Sequence, residues 1–336
     1  MDWSKGYSSS YYVSIVDSSS WRDIDRIDLV SGSVVKDISG LRESASIECS
    51  KGTDGIEKWI RIWRDIDQNG DYYHDAVFTG LATKPRDDIE GIIKNYSFDC
   101  YSVLKPSDNI DLLRGWYVSA GANGGEVIRQ LLESSTPAPV VVEDGAPILT
   151  STLIAEDGET NLSMIDKILL AIGWRLRISG DGTIYIEPYD EIPVMTFDPY
   201  EVDIIEPKLT IEADWFNAPN VFCAISGSTT SIVRDEEDDS PLSIQNRGRE
   251  VWMTETVSYL SSNETIDQYA YRRLKEEQRV IKTAKYTRRY VPDVVPGNLI
   301  RLHYPEQGLD GDFIIESQDI DLSHEAPTDE EVISYE

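Results

Sequence analysis

Lys58-Trp59-Ile60-Arg61-Ile62-Trp63-Arg64-Asp65-Ile66-Asp67-Gln68-Asn69-Gly70-Asp71, with Ala76-Val77-Phe78-Thr79-Gly80-Leu81-Ala82 a few residues on, decides the fold class. Trp59, Arg61 and Trp63 fall on one face and Ile60 and Ile62 on the other, the period of two that a strand requires. Asn69-Gly70 is a two-residue turn that allows positive φ at both positions, so the second stretch returns antiparallel to the first. Asp65 to Asp71 also matches the opening of a calcium loop, with oxygen-bearing side chains at alternate positions and then a glycine. That match fails at the twelfth position, where Ala76 stands in place of a bidentate glutamate, and the flanks read as strands rather than helices. A hairpin tip is the reading; weak cation binding is the alternative.

Working outward, Tyr11 to Val16 is aromatic and β-branched, and Arg26-Ile27-Asp28-Leu29-Val30 alternates polar with apolar. Ser31-Gly32-Ser33 reads as a break. Ser44 to Cys49 resumes the alternation after Gly40, and Ile92 to Tyr101 closes the region. Short antiparallel strands at this spacing imply a barrel or sandwich. The middle of the chain changes period. Gly125 to Leu132 carries a helical stripe ending at Ser134-Ser135-Thr136-Pro137, and Asn161 is placed to cap a helix over Leu162 to Ala171 that stops at Gly173. Trp174 to Ile178 and Thr183 to Glu187 then form a hairpin around Ser179-Gly180-Asp181-Gly182, completing a small α+β unit.

The last third returns to strands: Lys208 to Glu212, Asn220 to Ser226, Arg249 to Ser258, Lys285 to Val291, Leu299 to Tyr304 and Phe313 to Asp321. Asp235-Glu236-Glu237-Asp238-Asp239 reads as a solvated loop, because adjacent carboxylates repel in a compact setting. Thr265 to Ile281 reads as a charged helix capped by Ser262 or Asn263, and the turns are Pro296-Gly297-Asn298 and Gly308-Leu309-Asp310-Gly311. Ala326 to Glu336 reads as a short acidic tail. The fold class is therefore β-rich α+β.

The 336 residues hold 61 Asp plus Glu against 31 Lys plus Arg, a formal net charge of -30. A surface this acidic excludes a generic nucleic-acid binder, which needs clustered cations to neutralise phosphates. Asp (34) exceeds Glu (27) and Arg (19) exceeds Lys (12), an Asp-rich, Lys-poor balance that also suits concentrated salt and a halophilic host. With 40% apolar residues and a mean hydropathy of -0.35, sizeable cores are expected, and at about 150 residues per domain the length implies two or three domains. The longest apolar runs, such as Ile165 to Trp174, fall far short of the roughly 20 residues a membrane helix needs. Met1 to Ser10 lacks a basic segment and an apolar core, so no secretory signal and no membrane insertion are expected, with synthesis in the cytoplasm. Cys49, Cys100 and Cys223, odd in number and irregularly spaced, read as buried free thiols.

No catalytic, cofactor-binding or metal-binding residue is assigned. The histidines are His74 beside a hairpin turn, His303 in a strand and His324 near the tail, none in a catalytic motif. Gly121-Ala122-Asn123-Gly124-Gly125 offers helix N–H groups to an anion, but glycine-rich helix entry without a ligand is the commoner case. Paired carboxylates for glycoside cleavage carry no signal among 61 acids. Eight Trp and eighteen Tyr keep a carbohydrate-binding or carbohydrate-cleaving module as the alternative function, although Trp59 and Trp63 read as strand core.

Several phrases, in order, resemble the baseplate hub (tail hub) proteins of tailed viruses, the late control D type and the N-terminal part of tail-associated proteins. They are Trp59-Ile60-Arg61-Ile62-Trp63 with Val77-Phe78-Thr79-Gly80-Leu81; Tyr96 to Leu104; Gly173-Trp174 with Gly182 to Ile186; Asn217-Ala218-Pro219-Asn220-Val221; and Val295 to Leu302 followed by Gly311 to Ser317. The resemblance covers about residues 10 to 322. It implies two tube-like antiparallel β-barrel domains, over residues 1–105 and 204–325, the second with a helical insertion near 262–284. A small α+β domain over 106–203 would lie between them and the acidic tail over 326–336 would follow. It further implies a homotrimer whose two barrels per copy make a pseudo-sixfold ring. That ring would join the sixfold tail tube or distal tail protein to a threefold tip, in the virion tail, after assembly in the host cytoplasm. The α+β segment would bind a tip, spike or fibre protein. The role is structural, without catalysis or cofactor. Two departures stand out: no extension follows the hub-like region, which would put any peptidase, lysozyme or receptor-binding module on another chain, and His303-Tyr304 lies where ordinary strand residues are expected. A carboxylate-lined lumen would let viral DNA pass without holding it, and low salt should loosen a trimer with crowded like charges. An extracellular adhesin is disfavoured by the missing signal.

Overall fold

The computed structural model describes residues 3, 5–52, 57–83, 86–90, 93–198, 210–212, 216–257, 260, 264–278, 283–292, 294–305 and 309–335. The first strands are β1 (Ser8–Asp17), β2 (Arg22–Asp37), β3 (Glu43–Cys49), β4 (Lys58–Gln68), β5 (Asp71–Ala82), β6 (Arg86–Glu90) and β7 (Ile93–Ser102). Antiparallel pairing runs β1–β4–β5–β7–β3–β2 and returns from β2 to β1, so these strands close into a ring. Its interior is the apolar half of each alternation: Val13, Ile27, Val34, Ile47, Ile60, Ile62, Val77 and Phe98. Ser31-Gly32-Ser33 is not a break. β2 runs through it with a bulge between Leu29 and Ser31. Gly32 is a close-approach glycine, since a Cβ there would lie 2.8 Å from the Ser46 carbonyl oxygen and 2.9 Å from Ile47 Cγ2.

The next elements are α1 (Lys105–Asp108), β8 (Tyr117–Val118), α2 (Gly124–Glu133), β9 (Val140–Val142), β10 (Leu153–Ile154), α3 (Asn161–Ile172), β11 (Trp174–Ile178) and β12 (Ile184–Pro188). β11 and β12 form the expected hairpin, and β9 adds parallel to β12. Helices α2 and α3 bury Ile128, Leu132, Ile165 and Ile168 against Leu176, Ile184 and Ile186. The cap of α3 is Thr160, one residue before the expected Asn161: its extended backbone lets the hydroxyl accept from Ser163 N–H while the Ser163 hydroxyl accepts from Thr160 N–H. Gly173 ends the helix at φ 68°. The hairpin tip rests on the ring. Thr79 Oγ1 donates to the Gly180 carbonyl at 2.7 Å and Arg61 Nη2 to the Asp181 carbonyl at 2.9 Å, and a Cβ on Gly180 would fall 1.7 Å from the Ala76 oxygen.

The remaining elements are β13 (Met195–Phe197), β14 (Thr210–Glu212), β15 (Val221–Ser226), β16 (Thr229–Arg234), α4 (Ile244–Arg247), β17 (Trp252–Thr256), α5 (Ile266–Gln278), β18 (Thr283–Arg289), β19 (Leu299–Tyr304), β20 (Leu309–Asp321) and β21 (Pro327–Tyr335). The second sheet, in the order β13–β19–β20–β21–β18–β14, is open among the described residues and already includes residues 195–197, which were expected in the α+β unit. The insertion is more than a helix: β16–β15–β17 form a separate sheet that packs Phe222 and Ala224 on Tyr269, Ala270 and Leu274 of α5. Helix α5 is capped by Thr265, whose Oγ1 accepts from Gln268 N–H, with Gln268 Oε1 accepting in return. Ser262, Asn263 and Ile281 lie outside the described residues, as do Lys208 and Gly308. The acidic tail is corrected outright: residues 327–335 are the strand β21, between β18 and β20.

Pairing of β2 with β20, Ser33↔Asp321 through Asp37↔Ser317, fuses ring and second sheet into one 13-stranded sheet. Beside it lies a polar interior. Arg288 and Glu330 are both fully buried, Arg288 Nε donating to Glu330 Oε2 at 2.8 Å and Nη2 to Oε1, while Gln318 Nε2 donates to Glu330 Oε1 at 2.6 Å and to the Val294 carbonyl at 2.7 Å. Arg64, also fully buried, is held by Asp75 and stacks over the Tyr290 ring at 4.0 Å. Removing one partner of such a pair strands a buried charge, at about 3–5 kcal/mol. Glu330→Ala is therefore expected to lower the chemical-denaturation midpoint by that free energy, whereas exposed Glu325→Ala should stay within about 0.5 kcal/mol of the parent; equal effects would contradict the role given to the pair.

Candidate functional site

Because side chains alternate across a strand, the register that buries Gln318, Ile320, Glu330 and Val332 sends their neighbours to the opposite face. Along β7–β3–β2–β20–β21–β18 that outward face is continuous, crossing from the ring to the second sheet at the β2–β20 seam. It carries Asp99 opposite Ser46, Glu48 opposite Ser31, Asp321 opposite Ser33, Asp319 opposite Val35 and, on the other side, Asp329. Asp37 and Glu331 face Ser317 from either flank. Lys285, paired with Glu331 at 3.1 Å, and Arg289 are cations on the outward positions of β18, and exposed Arg22 and Arg26 lie at the far end of β2. Ser44, Ser97 and Thr287 add hydroxyls to this face, and Val35, Tyr101 and Ile333 add apolar groups.

Like charges directly opposite in a sheet are unfavourable. Asp319 shows it: partial burial and then the Asp329 and Asp321 charges hold its carboxyl above the usual range. Glu316, at the bulge in β20, is raised by burial and then by Glu331 and Asp37. A face on which carboxylates outnumber cations repels phosphates.

The residues singled out in the sequence are placed elsewhere. Asn69 (φ 55°) and Gly70 (φ 96°) form the two-residue turn between Gln68 and Asp71. Asp67 Oδ1 accepts from Gly70 N–H at 2.9 Å, and Asp65 lies 2.6 Å from His74 Nδ1. Among the described residues no group of three or more His, Cys, Asp or Glu side chains is arranged to hold a metal ion. His303 pairs with Asp310 at 2.9 Å, which raises its pKa, and His324 Nδ1 sits 3.3 Å from the Ser9 carbonyl. At Gly121–Gly125, Asn123 Oδ1 accepts from Glu126 N–H, and Gly124 and Gly125 permit close contact with Ile172 and Ala146. The cysteines are buried and free, with burial pushing the Cys49 thiol up to about 12.

Two readings change. Asp235 of the acidic run is buried, accepting from Ser240 and Gln278 side chains at 2.6 and 2.9 Å, while residues 236–239 are exposed. Trp59 and Trp63 lie outside the ring core: Trp59 packs on Trp21 against the α+β unit, and Trp63 stacks on His74 at 4.3 Å with Tyr12 at 6.5 Å. Trp63 is thus engaged by its own strand neighbours rather than laid open as a sugar platform. A cleft of about 640 Å³ lies where ring, α+β unit, α5 and second sheet meet, crossed by the pairs Arg42–Asp166 and Arg175–Asp190. Glu43 lines it, pushed up to about 8 by burial, with Lys36 opposing. Among the described residues no helix is long and apolar enough to cross a membrane.

No family model matches the sequence, and no curated protein matches it. Solved structures do. A tail protein from Neisseria meningitidis MC58 superposes with a TM-score of 0.71 at 16% identity, over 98% of this chain and 97% of that one. The 43 kDa tail protein of prophage MuSo2 from Shewanella oneidensis gives 0.67 at 12%, over 97% and 98%. The E. coli c3393 protein, a type VI secretion component with structural similarity to the T4 bacteriophage tail proteins gp27 and gp5, gives 0.55 at 9%, over 92% and 74%. The chain thus has the β-rich fold of these tail proteins along nearly its whole length.

For an acid whose folded pKa lies above its unfolded one, the folded state holds the proton more tightly, so stability falls as pH rises through that window. Asp319→Asn is accordingly expected to raise the melting temperature at pH 7 and to lose its advantage as pH falls into the ordinary carboxylate range. Thermal scans at pH 4 and 7 check this; a lower melting temperature at pH 7 would contradict the charge crowding.

Proposed function

We propose that this chain is a structural protein of a virus tail, a baseplate or tail hub that assembles as a homotrimer around a channel through which DNA passes. The acidic face carries the reading. The sheet face that carries it crosses both sheet halves of one copy, so three copies set side by side would present six sheet segments to a common centre, matching a sixfold tube while retaining threefold symmetry for a tip. The full-length fold likeness to tail proteins supports it. Ring and second sheet are the candidates for the two tube-like modules; the α+β unit and the β15–β17 insertion would lie outside, toward tip, spike or fibre proteins. Such a protein works in the virion tail after assembly in the host cytoplasm. The same Asp-rich surface suits concentrated salt, so the melting temperature should rise with potassium chloride.

Light scattering on purified protein should give three times the 37.9 kDa chain mass. DNA provides the second test. The parent should leave a short fluorescent duplex unbound, whereas the combined Asp37→Lys, Asp319→Lys, Asp321→Lys and Asp329→Lys variant should bind it with strong salt dependence. A stable monomer, or tight DNA binding by the parent, would overturn the proposal.

A further inference from the structure

We propose that two surface patches far apart in the sequence are complementary and join one copy to the next: an acid-rimmed apolar patch on the α+β unit and an arginine-studded aromatic patch on the β15–β17 sheet. This rests on the trimer reading above and names the contact that builds it.

The first patch comes from two segments that pair antiparallel at Tyr117↔Ile154 and Val118↔Leu153 and at an isolated bridge between Asp111 and Thr160, with turns at Leu113–Trp116 and Glu156–Glu159 between them. Leu112, Val118 and Leu153 turn into the core. Leu113, Tyr117 and Ile154 stand out at 82%, 62% and 63% exposure. Exposed carboxylates rim them at Asp111, Glu156 and Asp157, with Arg114 3.8 Å from Asp157 and Lys167 reaching the nearby Glu159.

The second patch inverts that chemistry. Phe222, Val233 and Met253 face α5, so by alternation Arg234 and Trp252, both register partners of Val221, face away from it. Arg234 lies over the Trp252 ring at 5.5 Å, and Ile232 is exposed on the same face. Phe216, 71% exposed, has the Arg249 guanidinium 4.4 Å above its ring, with Arg247 and Arg249 both donating to its carbonyl. Glu250 sits among these groups, 3.6 Å from Arg234 and accepting from the Trp252 indole N–H, but Arg234, Arg247 and Arg249 outnumber it, in a chain whose acids outnumber its bases 61 to 31. Aromatics with arginine are what interface centres select. The two patches differ, so their contact is head to tail, the kind that closes into a ring when each step is a third of a turn.

The test uses the full chain in light scattering and sedimentation over a dilution series. Asp157→Arg and Arg249→Glu should each weaken self-association at least tenfold while leaving circular dichroism and melting unchanged. The double variant carrying both should return to within about threefold of the parent. Tyr117→Ser and Trp252→Ser should weaken it without rescue by each other. A trimeric parent whose variants associate with parental affinity, or a double variant no better than either single one, would overturn this contact while leaving the trimer standing. A monomeric parent would instead remove the reading on which the contact rests.

Discussion

Everything in this molecule depends on five residue pairs between β2 and β20, Ser33↔Asp321 to Asp37↔Ser317. Joining residues 280 or more positions apart in the chain, they make one sheet of two halves and fix which side chains of both halves face the same way. A slip of one residue would exchange the faces, burying Asp319 and Asp321 and exposing Ile320. The alternation therefore specifies core and acidic face together, and neither is separable from the seam.

The seam is held by groups whose energetics favour specificity over stability. Beneath it lie Arg288 and Glu330 with Gln318, and Arg64 with Asp75. Apolar replacements of such pairs are often no less stable, but an unmatched charge would be costly, so register errors that separate Arg288 from Glu330 are penalised. Above the seam, Asp319 and Asp329 stand opposite each other at a cost in electrostatic repulsion. On the proposed reading as a conduit for a polyanion, that repulsion would be the working property of the face.

Much of this was legible in the sequence. The Trp59–Trp63 hairpin, the helix ending at Gly173 and the strand Leu299–Tyr304 follow from period and turn chemistry that are local to each segment, whereas Leu309-Asp310-Gly311, read as a turn, is already strand β20 paired to β19. What escaped has a common cause. β21 reads as a tail because Glu330 breaks the apolar alternation; its buried partner Arg288 lies 42 residues away, and no local rule pairs them. Gly32 reads as a turn because its purpose, room for the Ser46 carbonyl, exists only once β3 is beside it. Asp235 reads as surface until Gln278 of α5 reaches it. The acidic face was visible only as net charge, since its coherence depends on β2 meeting β20.

The most direct measurement is an electron cryomicroscopy map of the assembled chain at a resolution that traces strands. The account predicts a threefold ring whose central channel is lined by β7, β3, β2, β20, β21 and β18, with Asp319 and Asp329 facing the opening and the α+β unit at the periphery. A ring with that sheet face turned outward, or a particle without a channel, would contradict it.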